Sequence, residues 1–388
     1  MDYDVVVVGA GPGGSMTAKA LAEEGIDVLM VEKRPEIGMP VRCAEGTSKK
    51  GLEELGIEIN KKFIAWETLG EYIYAPDGTR LEIIKEEPNG YTLERRMFDK
   101  YLAIYAARAG AEVRTRTYAT GLIREDGFVR GVKLKYFGEE YEVECSVVVG
   151  ADGIEGKVSR WAGLSNRTKL NQMTSNVEYE MVGIEMENPR VMEFYLGRKI
   201  APGGYAWVFP KGEDIANVGL GIRPNYGRPY EYLERFIASK ENLRKGKKVG
   251  MVVGGVPVEG PLEKAVGDGV LLVGDAARQV DPLTGGGIYN AMRCGTIAAK
   301  VIKQAAEKQD FSEGMLMEYD REWKETVGKG LMKSLKVKEV LEKLNDDGMN
   351  AIGKVMRGMK LGNIDIKDVS RSVLEFPPEL IDFVQKLL

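Results

Sequence analysis

Near its start the chain carries Gly9-Ala10-Gly11-Pro12-Gly13-Gly14, a spacing that suits a pyrophosphate. Gly9 permits a tight turn and Gly11 lets a phosphate approach the backbone. Gly14 lets the following helix pack closely, so its N-terminus offers free N–H groups and a positive dipole end. Glu32 follows Gly14 by 18 residues, where an acid can accept from ribose hydroxyls. Two further acids, Asp152 in Gly150-Ala151-Asp152-Gly153 and Asp275 in Gly274-Asp275, also close short apolar runs. Taken singly, either acid also reads as a helix cap or turn residue. Tyr205, Trp207 and Phe209 alternate along another run, which places their rings on one face of a strand. The sequence contains no histidine, so proton transfer falls to Cys, Tyr, Lys, a carboxylate or water.

The elements that must position these residues are short and apolar. Asp4 to Val8, Asp27 to Val31, Ser146 to Val149 and Val270 to Val273 read as strands of a parallel sheet buried on both faces. Parallel strands end on one edge, so Glu32, Asp152 and Asp275 are expected together where ligands bind open α/β sheets. Helical spacing runs from Ser15 to Gly25, from Glu94 to Arg108 and onward from Ile288. Aromatic and β-branched runs around a turn at Pro76-Asp77-Gly78, and again from Arg167 to Val258, predict antiparallel β structure with one helix over Tyr230 to Ser239. The expected organisation is a discontinuous dinucleotide-binding α/β domain over 1–60, 91–165 and 260–310. A β-sheet substrate domain over 61–90 and 166–259 interrupts it, and a helical region over 311–388 follows.

Composition narrows the function classes. A length of 388 residues supports two or three structural units, and a net charge of −4 argues against a general nucleic-acid binder. No apolar run approaches the ~18 to 20 residues of a membrane-spanning helix, and the first strand follows no basic-then-apolar leader, so a cytoplasmic protein is expected. Cys43, Cys145 and Cys294 are widely spaced and form no Cys-x-x-Cys, which suggests neither a disulfide framework nor a metal site. Lys329, Lys333, Lys336, Lys338 and Lys343, interleaved with leucines, read either as a solvated helix face or as a face for peripheral contact with an anionic membrane.

These motifs together resemble the flavoprotein superfamily of aromatic-ring hydroxylases, squalene-type epoxidases and geranylgeranyl reductases. The resemblance implies FAD and a Rossmann-like FAD-binding domain of the aromatic-hydroxylase or glutathione-reductase-2 type. Gly150 to Gly153, Gly274-Asp275 and the turn from Pro282 to Gly287 are the parts that carry it, together with Arg95 at a helix start. By the same resemblance, the cofactor-binding residues are Gly9, Gly11, Gly13, Gly14, Glu32, Lys33, Arg42, Cys43, Ala44, Gly46, Arg95, Ala119, Asp152, Gly274, Asp275, Gly285, Gly286, Gly287 and Ile288.

Within the superfamily, Val41 to Gly46 and the segment Pro202-Gly203-Gly204-Tyr205-Ala206-Trp207-Val208-Phe209-Pro210 resemble archaeal geranylgeranyl reductases. That implies reduction of prenyl chains on digeranylgeranylglycerol phosphate or a derived phospholipid, with Pro202, Tyr205, Trp207 and Phe209 against the hydrocarbon. An isolated alkene has no carbonyl to polarise it, so a proton must arrive with or before the hydride. Cys43, which the resemblance sets beside the flavin, is the expected donor, because a free thiol with pKa near 8.5 is mostly protonated at neutral pH. The faces of Tyr205 and Trp207 would ease cationic character at carbon. No second Gly-x-Gly-x-x-Gly follows a strand, so a dedicated NAD(P)H domain is not visible; reduced ferredoxin, a deazaflavin and bound NAD(P)H stay open as electron donor. A monooxygenase of the same fold and a non-catalytic prenyl carrier are the alternatives.

Overall fold

The structure is a computed structural model that describes residues 1–165 and 168–357; the end of the expected C-terminal helical region, 358–388, lies outside them. Its central sheet places Val266–Gly267, Val270–Leu272, Glu139–Gly150, Tyr3–Val8, Val28–Val31 and Glu112–Arg114 side by side in that order. All but the first pair in parallel. Strands buried on both faces must be apolar throughout, and Val5 to Val8, Val28 to Val31 and Val147 to Val149 supply that run. The hairpin of Thr117–Glu125 and Phe128–Tyr136 extends from the outer part of Glu139–Gly150.

Two helices converge on the first turn. Pro12–Glu23 follows the glycine run directly and crosses Ile288–Lys308 where Gly13 meets Ala291 and Gly295 meets Thr17. At Gly295 a β-carbon would lie 2.9 Å from Thr17 Oγ1, so the crossing depends on the small residue. Gly14 packs inside contact distance of the Gly9 carbonyl, the close helix–strand approach its spacing predicts.

The second sheet has seven strands in the order Lys247–Pro257, Met173–Val182, Ile215–Ile222, Ala206–Pro210, Val191–Tyr195, Gly70–Tyr74 and Arg80–Ile84. It is antiparallel except where Val191–Tyr195 runs parallel to Gly70–Tyr74. The aromatic run from the first excursion thus divides. Gly70–Tyr74 and Arg80–Ile84 join this sheet, whereas Ile64–Thr68 pairs with Gly90–Leu93, which in turn pairs with Gly46–Ser48, in a small third sheet. One face of the seven-stranded sheet is closed by the amphipathic helix Pro229–Ser239, whose Leu233, Phe236 and Ile237 are buried with Val177, Val218 and Leu220.

Helices Glu313–Trp323, Lys329–Leu341 and Asp346–Arg357 follow. Leu331 is buried against the central core, and Lys338 is buried with its ammonium donating to the Val258 carbonyl. Lys338 therefore departs from the expected lysine face, because it points inward while Lys329, Lys333, Lys336 and Lys343 stay exposed.

Candidate active site

Glu32, Asp152 and Asp275 follow three of the parallel strands and meet on one edge, as strand direction requires. They line a single cavity of about 1330 Å³ between the central and seven-stranded sheets. Glu32 is fixed by two backbone donors, Ala10 N at 3.2 Å and Arg34 N at 3.0 Å. Asp152 is partly the cap that its alternative reading predicts, since one carboxylate oxygen accepts from Lys157 N at 2.5 Å and Val158 N at 3.1 Å. Its other oxygen is buried without a partner among the described residues, and burial raises its pKa. Burial likewise pushes the Asp275 carboxyl up, against the pull of Arg95.

Such a site fits FAD on the geometry of the chain. A β-carbon built on Gly11 meets nothing within 4 Å, so the backbone there is open to the cavity. Neither Pro12–Glu23 nor Ile288–Lys308 has a side-chain cap at its N-terminus, which leaves backbone donors at two helix starts. Gly285, Gly286, Gly287 and Ile288 line the cavity at the second of these. So do Gly9, Gly13, Lys33, Arg42, Cys43, Ala44, Gly46, Arg95, Ala119 and Gly274. Gly14 and Pro202 do not; the first serves packing, and the second sits beside wall residues Ala201, Gly203 and Gly204.

Cys43 lies in a turn held with unusual firmness. Glu45 adopts a left-handed backbone at φ 75°, a conformation that costs a non-glycine residue roughly 1 kcal/mol or more. Its carboxylate repays that through three donors: Arg95 N at 2.8 Å, Lys211 Nζ at 2.9 Å and Asn217 Nδ2 at 2.8 Å. The Glu45 amide points back at Cys43 Sγ, 3.2 Å away. Burial raises the Cys43 pKa; the charge of Arg95, itself held at 2.9 Å by Asp99, works against that rise. The thiol is thus kept protonated. Burial opposes the charge on Lys211, and the carboxylates of Glu45 and Glu94 more than offset it.

The floor of the cavity is the seven-stranded sheet, and its register sets out rows of side chains. One row runs Ile73, Phe194, Trp207, Gly219, Glu178, Val252 across six strands. Cross-strand partners share a face. Tyr205 and Phe209 flank Trp207 with ring centroids at 5.8 and 6.3 Å, and the Tyr205 hydroxyl donates to the Thr284 carbonyl of the glycine turn. Phe194 closes the strip at 5.2 Å from Phe209 and 5.6 Å from Tyr205. The expected aromatic face therefore forms and faces the cavity. Sequence reasoning did not single out Phe194, Met192, Glu178 or Glu45. Phe194 and Met192 stood in a run read as a plain strand, and the two acids take their meaning from partners elsewhere in the chain, 29 residues away for Glu178 and 166 for Glu45.

Comparison with known proteins places this geometry. Residues 172–256, which contain most of the floor, match the geranylgeranyl reductase catalytic domain, and residues 7–62 match an NAD(P)-binding Rossmann-like domain. The chain is 45% identical to a digeranylgeranylglycerophospholipid reductase of Methanocaldococcus jannaschii, covering 100% of this chain and 98% of that protein. The corresponding protein of Methanothrix thermoacetophila is also 45% identical, over 98% of each chain. A crystal structure of a geranylgeranyl bacteriochlorophyll reductase-like protein from Thermoplasma acidophilum superposes with a TM-score of 0.93 at 41% identity, covering 100% of this chain and 99% of that one. A flavin-dependent brominase, at 20% identity and a TM-score of 0.74 over 95% of this chain and 92% of its own, shares the fold. By full-length identity and by the domain that forms its cavity floor, the chain belongs to the digeranylgeranylglycerophospholipid reductase family.

Proposed function

We propose that this protein is an FAD-dependent reductase that saturates the isolated double bonds of geranylgeranyl chains on archaeal glycerophospholipid precursors. The observation that carries the reading is the aromatic floor of Phe194, Tyr205, Trp207 and Phe209, set in one cavity with the dinucleotide edge and Cys43. FAD in its reduced state supplies a hydride. The residues of the chain do the rest. The glycine turn and Glu32 hold the dinucleotide, while Asp275 and the start of Ile288–Lys308 flank the cavity beside Arg95.

The aromatic floor holds a prenyl chain and excludes water from it. Rings of Tyr205 and Trp207 present their faces to carbon that becomes electron-poor as a proton arrives. Cys43 is the donor of that proton. Its S–H bond breaks as a C–H bond forms, and Arg95 stands by to stabilise the thiolate. The seven-stranded sheet is the substrate-binding unit in this scheme. Electrons come from reduced ferredoxin, a deazaflavin or NAD(P)H, and the four exposed lysines of 329–343 give the protein a face for anionic lipid. No helix among the described residues is long and apolar enough to cross a membrane.

The test is anaerobic. The protein is purified, its flavin reduced chemically, and a digeranylgeranylglycerol phosphate added while the flavin spectrum and product mass are followed. Flavin reoxidation with a mass gain of two per turnover is expected. A reduced flavin that is inert to the lipid but consumes oxygen to make a hydroxylated or epoxidised product would replace this reading with a monooxygenase.

A further inference from the structure

Glu178 is a buried carboxyl group in the wall of the cavity, 4% exposed, and nothing in the scheme above uses it. It stands in the same row of the sheet as Trp207, separated by Gly219. Because Gly219 has no side chain, the indole lies over it and Nε1–H reaches a Glu178 carboxyl oxygen at 2.7 Å. The second carboxyl oxygen has no hydrogen-bond partner among the described residues. A buried ionised carboxylate held by one neutral donor is costly, so the group is stable there as the neutral acid.

Its surroundings connect it in two directions. On one side lies the turn of Cys43, which lines the same cavity: the carbonyl of its neighbour Ala44 accepts from Asn217 Nδ2 at 3.3 Å, and Asn217 shares its strand face with Gly219, the residue between Glu178 and Trp207. On the other, Glu180 follows two residues along the strand and shares its face. Lys211 bridges Glu180 at 3.2 Å and Glu45 at 2.9 Å, and Glu94 at 2.6 Å. Glu180 and Glu94 are 43% and 45% exposed, so this cluster reaches water on the strand beside the buried acid. The charged groups that face Glu178 are thus Glu45, Lys211 and Glu180, with Trp207 as its only direct donor among the described residues.

We propose that Glu178 is the proton store of the active site, reprotonating Cys43 between successive double-bond reductions; this rests on the reductase reading and on Cys43 as donor. The thiol gives its proton to the alkene, and the thiolate takes the carboxyl proton of Glu178. An S–H bond forms as an O–H bond breaks, with no change of oxidation state. Glu178 is left as a carboxylate whose charge Lys211 eases, and it regains a proton from water at the Glu180 side. A lipid filling the cavity blocks direct access of water to the thiol, which is why a resident acid is useful. Transfer from a carboxyl group to a thiolate runs downhill, because the thiol is the weaker acid; burial raises the Glu178 pKa well above its ordinary value, which keeps the carboxyl protonated and ready to give its proton up.

The test is Glu178→Gln, which keeps the shape and an acceptor for Trp207. In the purified holoenzyme, Cys43 alkylation is followed against pH by peptide mass spectrometry, and prenyl reduction is measured in single and multiple turnover. The expected result is an alkylation midpoint shifted to lower pH, a first reduction within about twofold of wild type and a steady-state rate lowered at least about tenfold. Unchanged midpoint and unchanged steady-state rate would overturn the proposal, as would a first reduction slowed as much as the steady state. Glu178→Asp keeps an acid and should recover most of the steady-state rate. Should Glu178→Gln fail to fold, wild-type protein with isotope-labelled glutamate is examined by infrared spectroscopy. A protonated glutamate band at neutral pH that moves when Cys43 is alkylated supports the store, and its absence refutes it. The alkylation and infrared readouts need no turnover, so they stand even if the lipid proves not to be reduced.

Discussion

Trp207 Nε1 donates to Glu178 at 2.7 Å over the backbone of Gly219, which lies between them in the sheet. The contact exists only because the middle strand carries no side chain there: a β-carbon on Gly219 would lie 2.5 Å from Trp207 Cζ2 and 2.8 Å from the Val177 carbonyl oxygen. Gly219→Ala should therefore tilt the indole off Glu178 and distort the aromatic floor. We expect a stability loss of about 1–3 kcal/mol from overpacking, retained flavin, and a prenyl-reduction kcat/KM at least about tenfold lower. Flavin absorbance and thermal melting of the same sample separate the two effects. A Gly219→Ala enzyme with full activity would mean that the indole position is unimportant.

Lys211 is a different kind of dependence, because its side chain, 5% exposed, is the only cation among the described residues that pairs with the equally buried Glu45. Removing one partner of a buried pair leaves the other charge stranded and costs about 3–5 kcal/mol. Lys211→Met is expected to lose stability on that scale, read by denaturant unfolding. The double change Lys211→Met with Glu45→Gln should recover part of it, since the stranded charge is then gone. If the single and double variants are equally destabilised, the pair is not coupled.

Glu32 tests the dinucleotide edge. Its two carboxylate oxygens each accept one backbone N–H, from Ala10 and Arg34. Glu32→Gln puts an amide N–H₂ against one of those donors and removes the charge that a ribose hydroxyl would meet. FAD affinity should fall by at least about tenfold, roughly 1.4 kcal/mol. Titration of the apoprotein with FAD, followed by quenching of flavin fluorescence, measures it directly.

The cofactor edge was legible in the sequence because its logic is local. Gly9 to Gly14, the helix after them and Glu32 lie within 32 residues, and strand direction alone brings Asp152 and Asp275 to the same edge. The aromatic strip was legible for the same reason, since alternation along Tyr205, Trp207 and Phe209 fixes one face. What it faces could not be read locally. That Glu178 sits beside Trp207 follows from the registers of two strand pairs and an intervening glycine, and no periodicity announces it. Glu45 looked like one more loop residue until Lys211 and Asn217 arrived from the other sheet. Lys338 misled for a related reason, because a lysine-rich helix reads as solvated unless a carbonyl such as that of Val258 is known to lie beneath it. The division of the Lys61 to Pro88 excursion between two sheets was hidden as well, since strand pairing is a long-range choice.

The protonation of Glu178 also has a signature in stability. Burial raises its folded pKa well above the value near 4.3 expected in the unfolded chain. Between those two values the folded state holds a proton that the unfolded state has lost, so stability falls as pH rises through that window. The contribution is fully present below the unfolded pKa and gone above the folded one. Asp152, Asp275, Glu71 and Glu193, also raised by burial, slope the same way, so the curve of wild type alone does not isolate Glu178. The difference between wild type and Glu178→Gln does, because glutamine does not titrate. We expect the stability of wild type relative to Glu178→Gln, measured by urea unfolding from pH 4 upward, to decline by about 1.36 kcal/mol for each unit climbed inside the window and then level off. A constant difference across that range would mean that Glu178 ionises normally in the folded protein, and the proton store would fall with it.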